Sequence, residues 1–211
     1  MNILKKTILL VFCLCYSFSM VYAQDEAAEK VIILDEVIIY PTKAKILKSN
    51  IKKEVKTSCK GFASVISLVT PTKNAQYVKG IEFFFNNKWS DSKNEGFYLR
   101  PIIVNSVNNK PGNTVLYRGY DYFVTKKVGQ RVYCDFSEAP AFVGNLSSFF
   151  IGVEFVEKRG TSPVEDFNIT LGTSKKVNYS FVKGHCNTCQ YAPLNISPKE
   201  GLLLKYRLFY D

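Results

Sequence analysis

Two thiols three residues apart, beside the chain's single histidine, are the residues best equipped for chemistry. His185-Cys186-Asn187-Thr188-Cys189 places both sulfurs within reach of one metal ion or of each other. Haem attachment of the c type needs a histidine directly after the second cysteine, and Gln190 stands there. A redox dithiol belongs at the start of a helix, where the dipole lowers the thiol pKa. Pro193 and strand-like surroundings argue against that here. A zinc site would take Cys186, Cys189 and His185, and would need Cys59 or Cys134 to approach. Structural disulfides account more simply for the four thiols Cys59, Cys134, Cys186 and Cys189. The preferred pairing is Cys186–Cys189 as a local staple with Cys59–Cys134 as a long-range link.

Catalysis by a Ser-His-Asp or Cys-His system would have to pass through His185. A lone histidine beside a cysteine loop is more often a surface residue. No G-x-S-x-G, P-loop or G-x-G-x-x-G pattern occurs. Glycoside hydrolysis needs two opposed carboxylates. Glu154 and Glu157 are close in sequence, but an odd offset puts them on opposite faces of a strand. Glu154 stands in an apolar run and is expected to be a partnered, partly buried acid.

Two further constellations point to binding. Trp89 is the only tryptophan, and it lies among Asn87, Asp91, Asn94 and Glu95. An aromatic face flanked by amides and carboxylates suits a sugar ring, whose CH groups stack while its hydroxyls hydrogen-bond. The competing and preferred reading is a Trp that caps the core, since aromatics bury most of their area when they can. Lys43, Lys45, Lys48, Lys52, Lys53, Lys56 and Lys60 could face lipid phosphate or an acidic glycan. A solvated stretch is the plainer account.

The elements that must position these residues read as strands. Phe62–Val69, Tyr77–Phe85, Phe97–Val104, Thr114–Tyr117, Tyr122–Lys126, Gln130–Phe136, Ser148–Val156, Asn168–Leu171, Val177–Val182 and Leu202–Tyr210 are short runs rich in aromatic and β-branched residues. Turn chemistry separates them, clearest in Asn86–Gly96 and Asn108–Asn113. Pro101 predicts an edge position or a bulge. The pattern predicts an all-β antiparallel sandwich with short helical turns at most. Val31–Tyr40 reads as an extended segment stopped by Pro41, and Thr42–Lys60 as a surface connection.

The start of the chain predicts export. Lys5 and Lys6 precede an apolar run from Ile8 to Phe18, and Val21-Tyr22-Ala23 supplies a cleavage site, as in a secretory signal peptide. The run is shorter than the roughly 20 residues of a membrane span, so no transmembrane segment is expected after cleavage. Three parts follow: a signal peptide at 1–23, an extended and lysine-rich segment at 24–60, and a sandwich domain at 61–211. The whole chain is +10, and the leader holds two of its lysines and no acid, which leaves +8. That balance is read chiefly as solubility. Nucleic acid is not expected as a partner of an exported protein.

Several motifs resemble one family. Ile81–Phe85, Phe97–Val104, the Lys110-Pro111-Gly112 turn, Val132–Ser137 and Phe149–Phe155 follow a recognisable order. It is that of a secreted β-sandwich module of Gram-negative envelopes. Such modules often follow a carboxypeptidase-regulatory-like domain, and Leu34–Ile39 is similar to the last strand of that domain. The resemblance covers residues 31–40 and 77–157. It implies a jelly-roll-like sandwich and an envelope location (periplasm, outer-membrane surface or extracellular), and it implies no catalytic residues.

The sequence therefore leads to a non-catalytic structural or accessory module without cofactor. Its partner is expected to be an envelope protein, or a glycan held through Trp89. Hydrolase activity is the third reading.

Overall fold

The structure is a computed structural model. It describes residues 31–33, 40–41, 43–58, 62–71, 75–86, 96–125, 131–156, 168–186 and 188–211. The leader 1–23, Leu34–Ile39, Cys59, Lys60, Glu157 and the whole loop holding Asn87, Trp89, Asp91, Asn94 and Glu95 lie outside the described residues.

Every described element is a strand. In chain order they are β1 (Val31–Ile33), β2 (Lys45–Lys48), β3 (Glu54–Ser58), β4 (Phe62–Val69), β5 (Tyr77–Asn86) and β6 (Gly96–Val107). Then come β7 (Lys110–Arg118), β8 (Asp121–Thr125), β9 (Arg131–Asp135), β10 (Ala141–Phe142), β11 (Phe149–Val156) and β12 (Asn168–Ser174). The last five are β13 (Ser180–Gly184), β14 (Ala192–Pro193), β15 (Asn195–Ser197), β16 (Glu200–Leu204) and β17 (Tyr206–Tyr210). Among the described residues no helix is long and apolar enough to cross a membrane.

Eight of these strands make the frame. One sheet runs β4-β11-β6-β8, and the other runs β2-β17-β5-β9, with antiparallel pairing throughout. In chain order the frame passes from one sheet to the other as a double Greek key, the jelly roll expected from the sequence. The first sheet is extended by β13 and β14 beside β4, by β7 beside β6, and by β1 parallel to β8. The second gains β12, β16, β15 and β3, which hang on β5 through Ile169 and Asn168.

Alternation along the strands builds the core. Val65, Val69, Leu99, Ile103, Phe149, Ile151, Val153 and Phe155 face inward from one sheet. Ile81, Phe83, Val132, Cys134, Tyr206 and Leu208 meet them from the other. Each fully buried Ile, Val or Phe contributes about 1.5–3 kcal/mol over its exposed state. A buried polar tie crosses this interior between β4 and β16. Ser67 Oγ accepts the Leu204 N–H at 2.9 Å and shares a hydrogen bond with Ser180 Oγ, so the buried hydroxyls are satisfied.

Three expectations change. Pro101 lies inside β6, paired to Val153 of β11, not at an edge. Its missing N–H is harmless because the other flank of β6 passes there from β8, which ends its pairing at Leu99, to β7, which begins at Ile102. The Pro101 carbonyl on that flank accepts Gly119 N at 2.9 Å. The stretch Thr42–Lys60, read as a surface connection, supplies β2 and β3 to the second sheet. Its lysines mask strands whose inward residues are few: among the described side chains of this stretch, Leu47 and Val55 pack on the core. Cys134 is a free thiol rather than half of a Cys59–Cys134 disulfide. It points into the sandwich from β9, wholly buried, and desolvation holds its pKa well above the ordinary thiol value.

The β6–β7 turn is tighter than Asn108–Asn113 suggested. Asn108 and Asn109 alone make it, with φ of 52° and 59°. Two successive left-handed residues form a type I′ turn, whose twist matches that of the strands, and Asn tolerates that region.

Candidate functional site

The outward face of the β4-β11-β6 sheet carries side chains in rows set by register. Residues paired across strands share a face. One row is Val104, Phe150 and Leu68; the next is Ile102, Gly152, Ile66 and Phe181. Both are apolar, and Tyr179 and Tyr191 pack against them. The third row is polar: Arg100 opposite Glu154, Glu154 opposite Ser64, and Ser64 opposite Lys183. Three inter-strand spacings make it about 14 Å long.

Ion pairs hold this row in place. Arg118 Nη2 donates to Glu154 Oε1 at 2.8 Å, and Arg100 Nε donates to the buried Asp121 carboxylate at 2.7 Å. Glu154 is thus the partnered, partly buried acid expected of it. Ser64 Oγ donates a long 3.5 Å bond to the Tyr191 hydroxyl. Burial raises the Tyr191 pKa; the Ser64 bond lowers it and the Glu154 charge raises it further. Tyr191 therefore keeps its proton at neutral pH and can donate it in a hydrogen bond.

Two clefts that share lining residues open beside the row. One, about 420 Å³, is lined by Ser64, Arg100, Glu154, Lys183, His185 and Cys186. The other, about 440 Å³, shares Glu154 and Lys183 and adds Arg118, Asn113, Gln190 and Tyr191. Their common wall is the hairpin from β13 to β14. Its tip is closed by the Cys186–Cys189 disulfide, with Cα atoms 5.2 Å apart and Cys189 N bonded to Cys186 O at 3.1 Å.

That disulfide is the local staple of the preferred pairing, and in this structure it occupies the two sulfurs that the zinc alternative with His185 would need. Both sulfurs are bonded to each other, so neither is a thiolate ligand. Among the described residues no group of three His, Cys, Asp or Glu side chains could hold a metal ion. His185 and Cys186 do reach the cleft, as its wall. Of the lysine cluster, Lys48 and Lys52 meet at a separate cleft, while Lys45 lies 5.8 Å from the centre of the Tyr210 ring.

The sequence pointed to Glu154 but not to Ser64, Arg100, Arg118, Lys183 or Tyr191. One signal was present: in Phe62–Val69 and Phe149–Val156, Ser64 and Glu154 fall out of phase with the inward residues. Which strands neighbour one another, and hence which polar residues align, is not written in that alternation.

The opposite outer face holds a second cluster that the sequence did not flag. Glu82 of β5 is fully buried there between Arg207 Nη1 at 3.1 Å, Arg131 Nη1 at 3.9 Å and the Tyr40 hydroxyl, which donates at 2.7 Å. Tyr40 lies between Phe209, stacked at 5.1 Å, and Tyr133, edge-on at 5.2 Å. The nearby Asp135 carboxylate is engaged by the Ser137 N–H and hydroxyl, both at 2.9 Å. These contacts close the cluster on itself and leave it structural.

The fold and the open cleft place the chain in the class of jelly-roll β-sandwiches with a polar groove across one sheet face. No family model matches the sequence, and no curated protein matches it. Its fold is similar to a solved structure of the cysteine protease and lectin-like domains of Cwp84, a surface layer associated protein of Clostridium difficile. The TM-score is 0.51 at 11% identity, over 82% of this chain and 36% of that one. A second structure, a variant of the clostridial cysteine protease Cwp84 after propeptide cleavage, aligns with a TM-score of 0.49 at 10% identity, over 79% of this chain and 40% of that one. The chain thus spans well under half the length of the solved proteins it matches.

Proposed function

We propose that this protein is a non-catalytic binding module of the cell envelope, and that it holds a carbohydrate in the cleft over Ser64, Glu154 and Arg100. The observation that carries this reading is the polar row across four adjacent strands, in which Arg100, Glu154 and Lys183 are part-exposed along a cleft and the buried Ser64 lies in its wall. Sugar hydroxyls pair well with such a set. Carboxylate and guanidinium groups form strong charge-assisted bonds, and a tyrosine edge shields them from water. Arg118–Glu154 and Arg100–Asp121 lock the groups beforehand, so little freedom is lost on binding.

Two other features support it. The fold resembles part of a surface layer associated protein whose solved structure holds cysteine protease and lectin-like domains. The leader Met1–Ala23 reads as an export signal, and Val31–Tyr40 and 77–157 resemble a secreted envelope module. The sugar site proposed here is on the sheet face, and the Trp89 loop of the sequence reading lies outside the described residues.

Retention of the purified protein on immobilised envelope polysaccharides, neutral and acidic, tests the reading. Wild-type protein is retained, and Glu154→Gln with Lys183→Gln is not, at an unchanged melting temperature. No retention of the wild type on any of the polysaccharides would overturn it.

A second reading rests on one observation. Tyr77 and Phe142 are both exposed, with ring centres 5.3 Å apart where β10 meets β5. An exposed aromatic pair suits an envelope protein partner. Loss of a co-purifying envelope protein in Phe142→Ser, with polysaccharide retention intact, would assign that patch to a protein.

A further inference from the structure

A cleft of about 330 Å³, sharing no lining residue with the one over Glu154, lies where the loop after β2 meets the turn after β12. Four lysines from three segments line it: Lys48 at the end of β2, Lys52 in the following loop, and Lys175 and Lys176 in the turn. No Asp or Glu is among its lining residues. The nearby Glu54 carboxylate is engaged by Lys205.

The backbone forces this convergence. Lys52 N bonds Thr173 O at 3.0 Å, and Thr173 N bonds Lys53 O at 2.8 Å, which fastens the loop to the strand that leads into the turn. Lys176 N bonds Ser174 Oγ at 3.1 Å. The turn also lies so close to β16 that a Cβ on Gly201 would fall 2.3 Å from Lys176 O. The backbone that carries Lys52, Lys175 and Lys176 is therefore braced, and with Lys48 these residues line one concavity. Concave walls of low dielectric concentrate the field of like charges, and an anion relieves their repulsion.

We infer that this cleft binds the anionic groups of an acidic polysaccharide. The rest of the lining favours a polysaccharide over a bilayer. Asn50, Thr70 and Ser174 offer neutral hydrogen-bonding groups of the kind that sugar hydroxyls pair with. The lysines line a hollow, which a strand-like polymer enters and a flat lipid surface does not.

The probes are polygalacturonate and dextran sulfate, with neutral dextran as the control, each immobilised and presented to the purified protein at low salt. The protein is retained by the two acidic polymers and not by dextran. Retention weakens as salt shortens the screening length below about 10 Å. K175Q/K176Q lowers affinity on the order of tenfold, whereas K79Q/K199Q, with the same loss of charge, leaves it unchanged. Lys175, Lys176 and Lys199 are exposed and Lys79 is partly buried, and equal melting temperatures confirm folding. Failure to bind either acidic polymer, or an equal loss in K79Q/K199Q, overturns the inference. So does tighter binding to phosphatidylglycerol vesicles than to the acidic polymers. Loss in E154Q/K183Q with full retention in K175Q/K176Q would refute this cleft while sparing the other.

Discussion

The Tyr40 hydroxyl donates 2.7 Å to Glu82 Oε1, fastening the chain ahead of the first framework strand to the outer face of β5. Gly80 makes this possible: a Cβ there would fall 2.3 Å from the Tyr133 hydroxyl, so glycine lets the Tyr133 ring lie flat over β5 beside Tyr40. Glu82 is buried, and its charge is tolerated because Arg207, Arg131 and Tyr40 surround it.

Removing one of those partners is expected to show in stability. Arg207→Leu should cost roughly 2 kcal/mol, below the 3–5 kcal/mol of an isolated buried pair, because Arg131 and Tyr40 remain and Arg207 is itself part-exposed. Tyr40→Phe should cost about 1 kcal/mol for the lost hydrogen bond. Urea denaturation of the two variants checks both, and an Arg207→Leu protein as stable as wild type would contradict the ion-pair account.

Cys134 should be inert in the folded protein. Iodoacetamide at neutral pH should leave it unlabelled until denaturant is added, because the reactive thiolate is suppressed by burial. Cys134→Ser should be destabilised by roughly 1–3 kcal/mol through an unpartnered hydroxyl in the core, and by more than Cys134→Ala. Peptide mapping after labelling reads the first outcome and thermal denaturation the second.

Gly152 of β11 is expected to tolerate no side chain. Its Cβ would stand 2.0 Å from Val65 O and 2.6 Å from Ile66 Cα, both main-chain atoms of the neighbouring strand. Gly152→Ala should therefore cost about 3 kcal/mol, the upper range for overpacking. A denaturation midpoint equal to wild type would show that β4 and β11 separate freely.

Stability should fall in alkali. Burial raises the Tyr117 phenol to about 12, and raises those of Tyr122, Tyr133 and Tyr206 beyond it. Their unfolded values are near 10. Above pH ~10 the unfolded chain loses these protons while the folded chain keeps them, so unfolding gains. Their contribution is complete below pH ~10 and declines as pH rises toward the folded values. Melting temperatures from pH 7 to 11 should be flat and then drop, and a rise above pH ~10 would contradict the assignment.

Much of this architecture is local, and the sequence determined it. Phe62–Val69 and Ser148–Val156 are strands because aromatic and β-branched side chains alternate or run together over lengths that only a sheet buries. Cys186 and Cys189 are three residues apart, so a turn suffices to join them. What only the tertiary structure decided is who stands beside whom. Alternation tells which face a residue takes, not which strand comes next to it. Hence Cys134 pointed to a distant thiol in the sequence but faces a closed apolar interior in the fold. Leu47 and Val55 are too few, among so many lysines, to announce β2 and β3, which form because β17 and β12 offer them edges. Glu82 owes its burial to Tyr40 and Arg207, 42 residues before it and well over 100 after it. The polar row from Arg100 to Lys183 exists because β6, β11, β4 and β13 pair in one register, and a one-residue slip in any strand would turn its polar member into the core.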